Sequence, residues 1–85
     1  MRELTHIIVD SEGLHARNAA LLTAEAKKWR SKIDVAVGPD RSEASDLLSL
    51  MALDACAGDL MTVRIEGPDE VEASIAIAEL LGVSI

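Results

Sequence analysis

Gly13-Leu14-His15-Ala16-Arg17-Asn18-Ala19-Ala20 is the stretch of this sequence whose residue types and spacing can do chemistry. It sets an imidazole where a β-pattern gives way to a helical one. At such a junction the first N–H groups of the helix have no intrahelical acceptor, and the helix end carries roughly half a positive charge. That combination binds anions. Arg17 adds a forked cation suited to phosphate oxygens, so a phosphoryl group on the His15 ring would meet backbone donors and a guanidinium together. Taken alone, the same residues also fit an ordinary polar helix cap on a surface turn.

Other chemistries lack their residues. The chain has no glycine-rich phosphate loop with Lys-Ser/Thr, no H-E-x-x-H, no C-x-x-C and no G-x-S-x-G. His6, His15 and Cys56 are expected on a strand, a turn and a helix end, which is too sparse a set for a metal. Neither metal nor cofactor is expected. His6 reads as solvent-facing or hydrogen-bonded, and Cys56 as a small buried apolar group. Lys27, Lys28, Arg30 and Lys32 read as a solvated helix end.

The elements that must hold His15 follow from periodicity. Leu4, His6, Ile8 and Asp10 alternate with Thr5, Ile7 and Val9, which predicts a strand over about 2–9. Ser11-Glu12-Gly13 breaks it. From Ala16 the spacing becomes helical, with Ala19, Leu22, Ala26 and Trp29 as one apolar stripe running to about residue 29. Ile33, Val35 and Val37 form a second strand, Gly38-Pro39-Asp40 a turn, and residues 40–44 a short return strand. A short helix starts at Ser45-Asp46, with Ser45 as its capping hydroxyl and Asp46 in its first turn, and runs to Leu53 or Ala55. Met61, Val63 and Ile65 make a fourth strand. Asp69 and Glu70 open a last helix whose stripe reads Val71, Ile75, Ala78 and Leu81. The order β-α-β-β-α-β-α implies an α+β domain with helices on one face of a four-stranded sheet.

Composition bounds the rest. Eighty-five residues make a single domain, 1–85, and with neither Phe nor Tyr the core must be aliphatic around the lone aromatic, Trp29. A large internal cavity is not expected. The net charge of −7 opposes nucleic-acid binding. Residues 1–33 carry six basic and four acidic side chains, against two and eleven in residues 34–85, so an anion-seeking surface belongs to the first third. A single cysteine and the absence of a long apolar span imply a reducing cytoplasm and no membrane insertion. A monomer is expected.

Gly13-Leu14-His15-Ala16-Arg17, then Ala19-Ala20, Leu47 to Leu53 and Gly58, resembles the HPr family along the whole chain. These are the histidine-containing phosphocarriers of the bacterial phosphoenolpyruvate-dependent phosphotransferase system. The resemblance implies an open-faced β-sandwich of four antiparallel strands covered on one face by three helices. It also implies that His15 accepts a phosphoryl group on Nδ1 from enzyme I and passes it to an enzyme IIA-type acceptor. Arg17 would steady the phosphate while the N–H groups of Ala16 and Arg17 bind its oxygens. Such a protein is a shuttle with a phosphohistidine intermediate rather than a turnover enzyme.

The chain departs from the family pattern in three places. Asn18 stands where proline is usual, adding a backbone donor and a side-chain amide to the expected phosphate site. Asp46 stands where the family has a regulatory serine. Ser45 and Ser49 stand where lysines are frequent, so the docking face is less basic. Leu53-Asp54-Ala55 resembles the nitrogen-related branch more than the sugar branch.

A docking surface is expected independently of the family. Leu47, Leu48, Leu50, Met51 and Leu53 are too many for one buried stripe of a helix lying on a sheet. Leu50 and Leu53 read as core, leaving Leu48, Met51 and Leu47 outside near Ala16 and Ala20, unless the helix is deeply embedded. Two functions remain open: a phosphocarrier, and a regulator that controls a partner by docking. A small-molecule-sensing module would need a pocket that the pattern does not show.

Overall fold

Strand alternation decides which way the sheet faces. The computed structural model covers all 85 residues, Met1–Ile85. It comprises β1 (Arg2–Ile7), α1 (Ala16–Ala26), β2 (Lys32–Val37), β3 (Asp40–Glu43), α2 (Leu47–Ala52), β4 (Leu60–Glu66) and α3 (Glu70–Ser84). The strands form one antiparallel sheet in the order β1-β4-β2-β3. The last strand in sequence therefore lies between the first two.

The register puts Leu4, Val63, Val35 and Ser42 in one row across the sheet, and Glu3, Arg64, Asp34 and Glu43 in the next. Adjacent rows face opposite sides. Val63 and Val35 are fully buried, whereas Glu3, Arg64 and Glu43 are exposed. The three helices cover the apolar face and leave the charged one open, giving the open-faced α+β sandwich. Ile33, Ile65 and Met61 extend the covered face, and Ala19, Leu22, Leu50, Ile77 and Leu81 meet it from the helices. Full burial of each large aliphatic contributes roughly 1.5–3 kcal/mol, the main source of stability in so small a core.

Local details differ from the sequence reading. β1 stops at Ile7 because β4, its partner, begins at Leu60. Ile8 stays buried and bonds instead to the loop before β4, through Asp59 O and the N–H of Gly58. His6 shares its face with Leu4 and Ile8 and so points inward, half-buried, with its Nε2 enclosed and unpartnered rather than solvated. α1 ends at Ala26, where Lys27 and Lys28 turn the chain. Trp29 then lies beyond the helix, partly buried against the core, with Nε1 donating to Glu25 Oε2 at 3.0 Å.

The stripe of α3 is Ala73, Ser74, Ile77 and Leu81, not Val71, Ile75 and Ala78, which are exposed. This helix is apolar nearly all round, so periodicity had two candidate faces. Packing on β1, β4 and α1 selected the one with small residues near its start. Cys56 is exposed in the loop after α2, because that helix ends before it.

One polar tie joins the start of α3 to the start of β2. Asp69 precedes α3 but does not cap it; its carboxylate accepts instead from the N–H groups of Arg30 and Ser31, at 2.9 Å each, and from the Ser31 hydroxyl. The Ser31 hydroxyl first, and then the Arg30 N–H, hold the Asp69 carboxyl below its ordinary value of 3.8. Unfolding releases those bonds, so the unfolded chain takes up the proton at a higher pH than the folded one. The tie's stabilisation is thus complete above about pH 4 and fades as pH falls further. We expect the stability difference between the parent and Asp69→Asn, measured by urea unfolding, to be largest above about pH 4 and to shrink below it. A difference constant with pH would mean that the carboxylate's charge contributes nothing.

Candidate functional site

His15 is the N-cap of α1, in extended backbone, and its side chain turns back onto the helix it starts. The Arg17 N–H donates to His15 Nδ1 at 3.2 Å. On the other side of the ring, Nε2 lies 3.1 Å from Asp10 Oδ2. The imidazole is thus held at both nitrogens. The N–H groups of Ala16 and Asn18 bond to no carbonyl of the chain, as a first helical turn dictates. Arg17 is exposed and lines the same pocket as the ring.

Asn18 has a different part from the one expected of its side chain. It is 2% exposed and turned inward: Oδ1 accepts the His15 N–H at 2.8 Å, and Nδ2 donates to Gly13 O at 2.9 Å. The first bond completes a reciprocal cap with His15, and the second pins the turn before it. This amide is consumed within the loop and cannot reach a phosphate. The Asn18 backbone N–H in turn points at the His15 side chain, closing the cap.

The loop is also fixed from outside. Gly13 has φ +72°, and a Cβ there would lie 2.2 Å from Ala55 O. Glycine is needed both for the backbone angle and for this approach. The approach lets the Leu14 N–H donate to Ala55 O at 2.9 Å, tying the histidine loop to the chain between α2 and β4.

Asp10 and Glu12 escaped the sequence reading, which took them for the end of a strand and a turn. Ligating atoms of Asp10, Glu12 and His15 converge within 4.8 Å of one another. The available signal was an acid opening a turn five residues before the histidine. The Glu12 N–H, and then the His15 ring, hold the Asp10 carboxyl below its ordinary range. Leu21, also unforeseen, lines the same shallow pocket and is 44% exposed.

The apolar residues of α2 divide as expected. Leu50 and Leu53 are buried, Leu47 is half-buried against the core, and Leu48 and Met51 are 79% and 39% exposed. Ala16 and Ala20 are exposed on α1, which packs against α2. The cap of α2 is Asp46 itself, not Ser45: its Oδ1 accepts from the Ser49 N–H at 3.1 Å.

Residues 3–82 match the model of a family described as "PTS HPr component phosphorylation site". Phosphocarrier protein HPr of Mycoplasma pneumoniae is 34% identical over 83 residues, covering 95% of this chain and 93% of that protein. HPr of Treponema pallidum is 37% identical over 73 residues, covering 86% and 83%. Among solved structures, a Mycoplasma histidine-containing phosphocarrier protein superposes with a TM-score of 0.91 at 30% identity, covering 93% of this chain and 90% of that one. An HPr from Thermoanaerobacter tengcongensis gives 0.90 at 35% identity, covering 96% and 92%.

The clamp on the loop is open to direct measurement. Asn18→Ala strips the partners from Gly13 O and the His15 N–H in a place where water has little access. It should cost about 1–3 kcal/mol in urea unfolding. Unchanged stability would show that the loop satisfies those groups without the amide.

Proposed function

From the membership of this chain in the HPr family, phosphocarriers of the phosphotransferase system, we propose that His15 Nδ1 receives a phosphoryl group from enzyme I, charged by phosphoenolpyruvate, and yields it to an enzyme IIA-type acceptor. It works as a monomer in the cytoplasm, without a cofactor. The observation that carries this reading is the Arg17 N–H donated to Nδ1 at a helix start. The lone pair that the amide now holds is the one that would take phosphorus. Once it has done so, a phosphoryl oxygen inherits the Arg17 N–H, and the N–H groups of Ala16 and Asn18 lie in the same turn. The Arg17 guanidinium pairs with the remaining charge. The ring and its neighbours are exposed enough to enter two partner sites in turn, as a shuttle requires.

Docking would use the apolar surface that the two helices leave uncovered: Leu48, Met51 and the edge of Leu47 on α2, with Ala16 and Ala20 on α1. The partner must cover an apolar patch while tolerating acidic surroundings. A second reading, a regulator that acts by docking with little sugar flux, draws on one observation: Asp46, exposed at the start of α2 beside that patch. It places a fixed negative charge where the family carries a modifiable serine.

Incubation with enzyme I and phosphoenolpyruvate should give an acid-labile, base-stable adduct on the parent and none on His15→Ala. Arg17→Ala should slow transfer while changing stability by no more than about 0.5 kcal/mol. Equal labelling of His15→Ala would overturn the carrier reading.

Asp46→Ser exchanges one good helix cap for another, so it removes charge with little change in the helix. If the carboxylate repels enzyme I, the variant should be phosphorylated faster, with the gain shrinking as salt screens the charge. Equal rates across a salt series would leave Asp46 as a cap alone.

A further inference from the structure

The carboxylate of Asp10 is oriented before any partner arrives. Its Oδ1 accepts the Glu12 N–H at 2.9 Å, its main-chain oxygen accepts the Gly13 N–H at 2.9 Å, and its own N–H donates to Ile85 O at 3.1 Å. That leaves Oδ2 facing His15 Nε2. The two side chains are 29% and 27% exposed, so water screens the pair only in part.

Both nitrogens of the ring agree on where its proton sits. Nδ1 accepts from the Arg17 amide, so a neutral ring must carry its hydrogen on Nε2. An ionised carboxylate can only accept. We propose that Asp10 is the positioning residue of the phosphoryl site, holding the proton on Nε2 so that Nδ1 is the nucleophile on loading and neutral imidazole is the leaving group on discharge. This inference rests on the carrier reading of His15.

The electron and proton balance shows why the carboxylate matters. On loading, the Nδ1 pair attacks phosphorus and the P–N bond forms, while the bond to the donor breaks and its pair stays with the donor. The hydrogen on Nε2 does not move. The ring becomes a phosphorylated cation, and Asp10 balances that charge. On discharge, the acceptor's nucleophile donates its pair to phosphorus and that bond forms while the P–Nδ1 bond breaks, its pair returns to Nδ1 and the ring departs neutral, again with the Nε2 hydrogen in place. Were Nε2 deprotonated, the leaving group would be the imidazolate anion, a far poorer one. The charged groups facing the ring are Asp10, Glu12 and Arg17, while α3 contributes only the Ser84 hydroxyl to the pocket. Among them, Asp10 alone touches Nε2.

Asp10→Asn is the discriminating variant. Its amide oxygen can still take the Glu12 N–H and keep the turn, but its NH₂ would face Nε2 and demand an acceptor there. Ring ¹⁵N spectra of the unphosphorylated proteins should show the Nε2–H tautomer predominating in the parent and losing that predominance in Asp10→Asn. After loading with enzyme I and phosphoenolpyruvate, discharge to an acceptor should be about tenfold slower in the variant near neutral pH. The alkaline fall-off of its discharge rate should also lie about one pH unit lower. Asp10→Ser, which can also cap the turn but bears no charge, should behave in the same way, covering the case in which the asparagine disturbs folding.

Identical tautomers and superimposable pH profiles would overturn the role of Asp10 while leaving the carrier reading intact. A parent chain that accepts no phosphoryl group on His15 would overturn both.

Discussion

A single buried amide sets the geometry on which this site depends. Asn18 ties Gly13 O to the His15 N–H and so converts a flexible connection between strand and helix into a fixed cap. A ring left partly exposed at a helix start cannot be held by packing alone. Hydrogen bonds to the backbone beneath it are the remaining means. Their strength here comes from the burial of Asn18, since an amide shielded from water gives up more when its partners are lost. Where proline would restrict the backbone by its ring, this chain restricts it by a polar lock.

The rest of the fold positions that lock. β4, inserted between β1 and β2, ends the pairing of β1 at Ile7 and sends the chain toward the site. The approach of Gly13 to Ala55 joins the histidine loop to the chain just after α2, so His15 and the partly exposed apolar helix share one corner of the fold. An aliphatic core with no Phe or Tyr fills the space between the helices and the sheet. Such a domain binds by what it exposes.

Charge adds a second constraint. The chain is acidic, yet its anion site gathers cationic and partially positive groups in the first turn of α1. Asp10 and Glu12 set negative charge directly beside them. The Nδ1 side of the ring thus faces a backbone donor and the Nε2 side a carboxylate.

The sequence by itself determined the order of elements, the alternation along the strands, and a histidine at a helix start with an arginine two residues on. Each of these is local: strand alternation, helical spacing and cap chemistry act over a few neighbouring residues. It also determined that Leu50 and Leu53 lie inside and Leu48 and Met51 outside, because a short helix on a sheet has one buried stripe. Tertiary structure decided the rest. The face of α3 that packs could not be read from a helix apolar all round. His6 read as solvent-facing or hydrogen-bonded, and only the folded sheet turned it inward with Leu4 and Ile8 and enclosed its Nε2. Asn18 looked like a spare donor for phosphate because its residue type permits that, and only the folded loop brought Gly13 O and the His15 N–H to both ends of its amide. Asp10 looked like the end of a strand. It became the partner of the reactive ring because the turn folds back across five residues, a closure that no periodic pattern encodes.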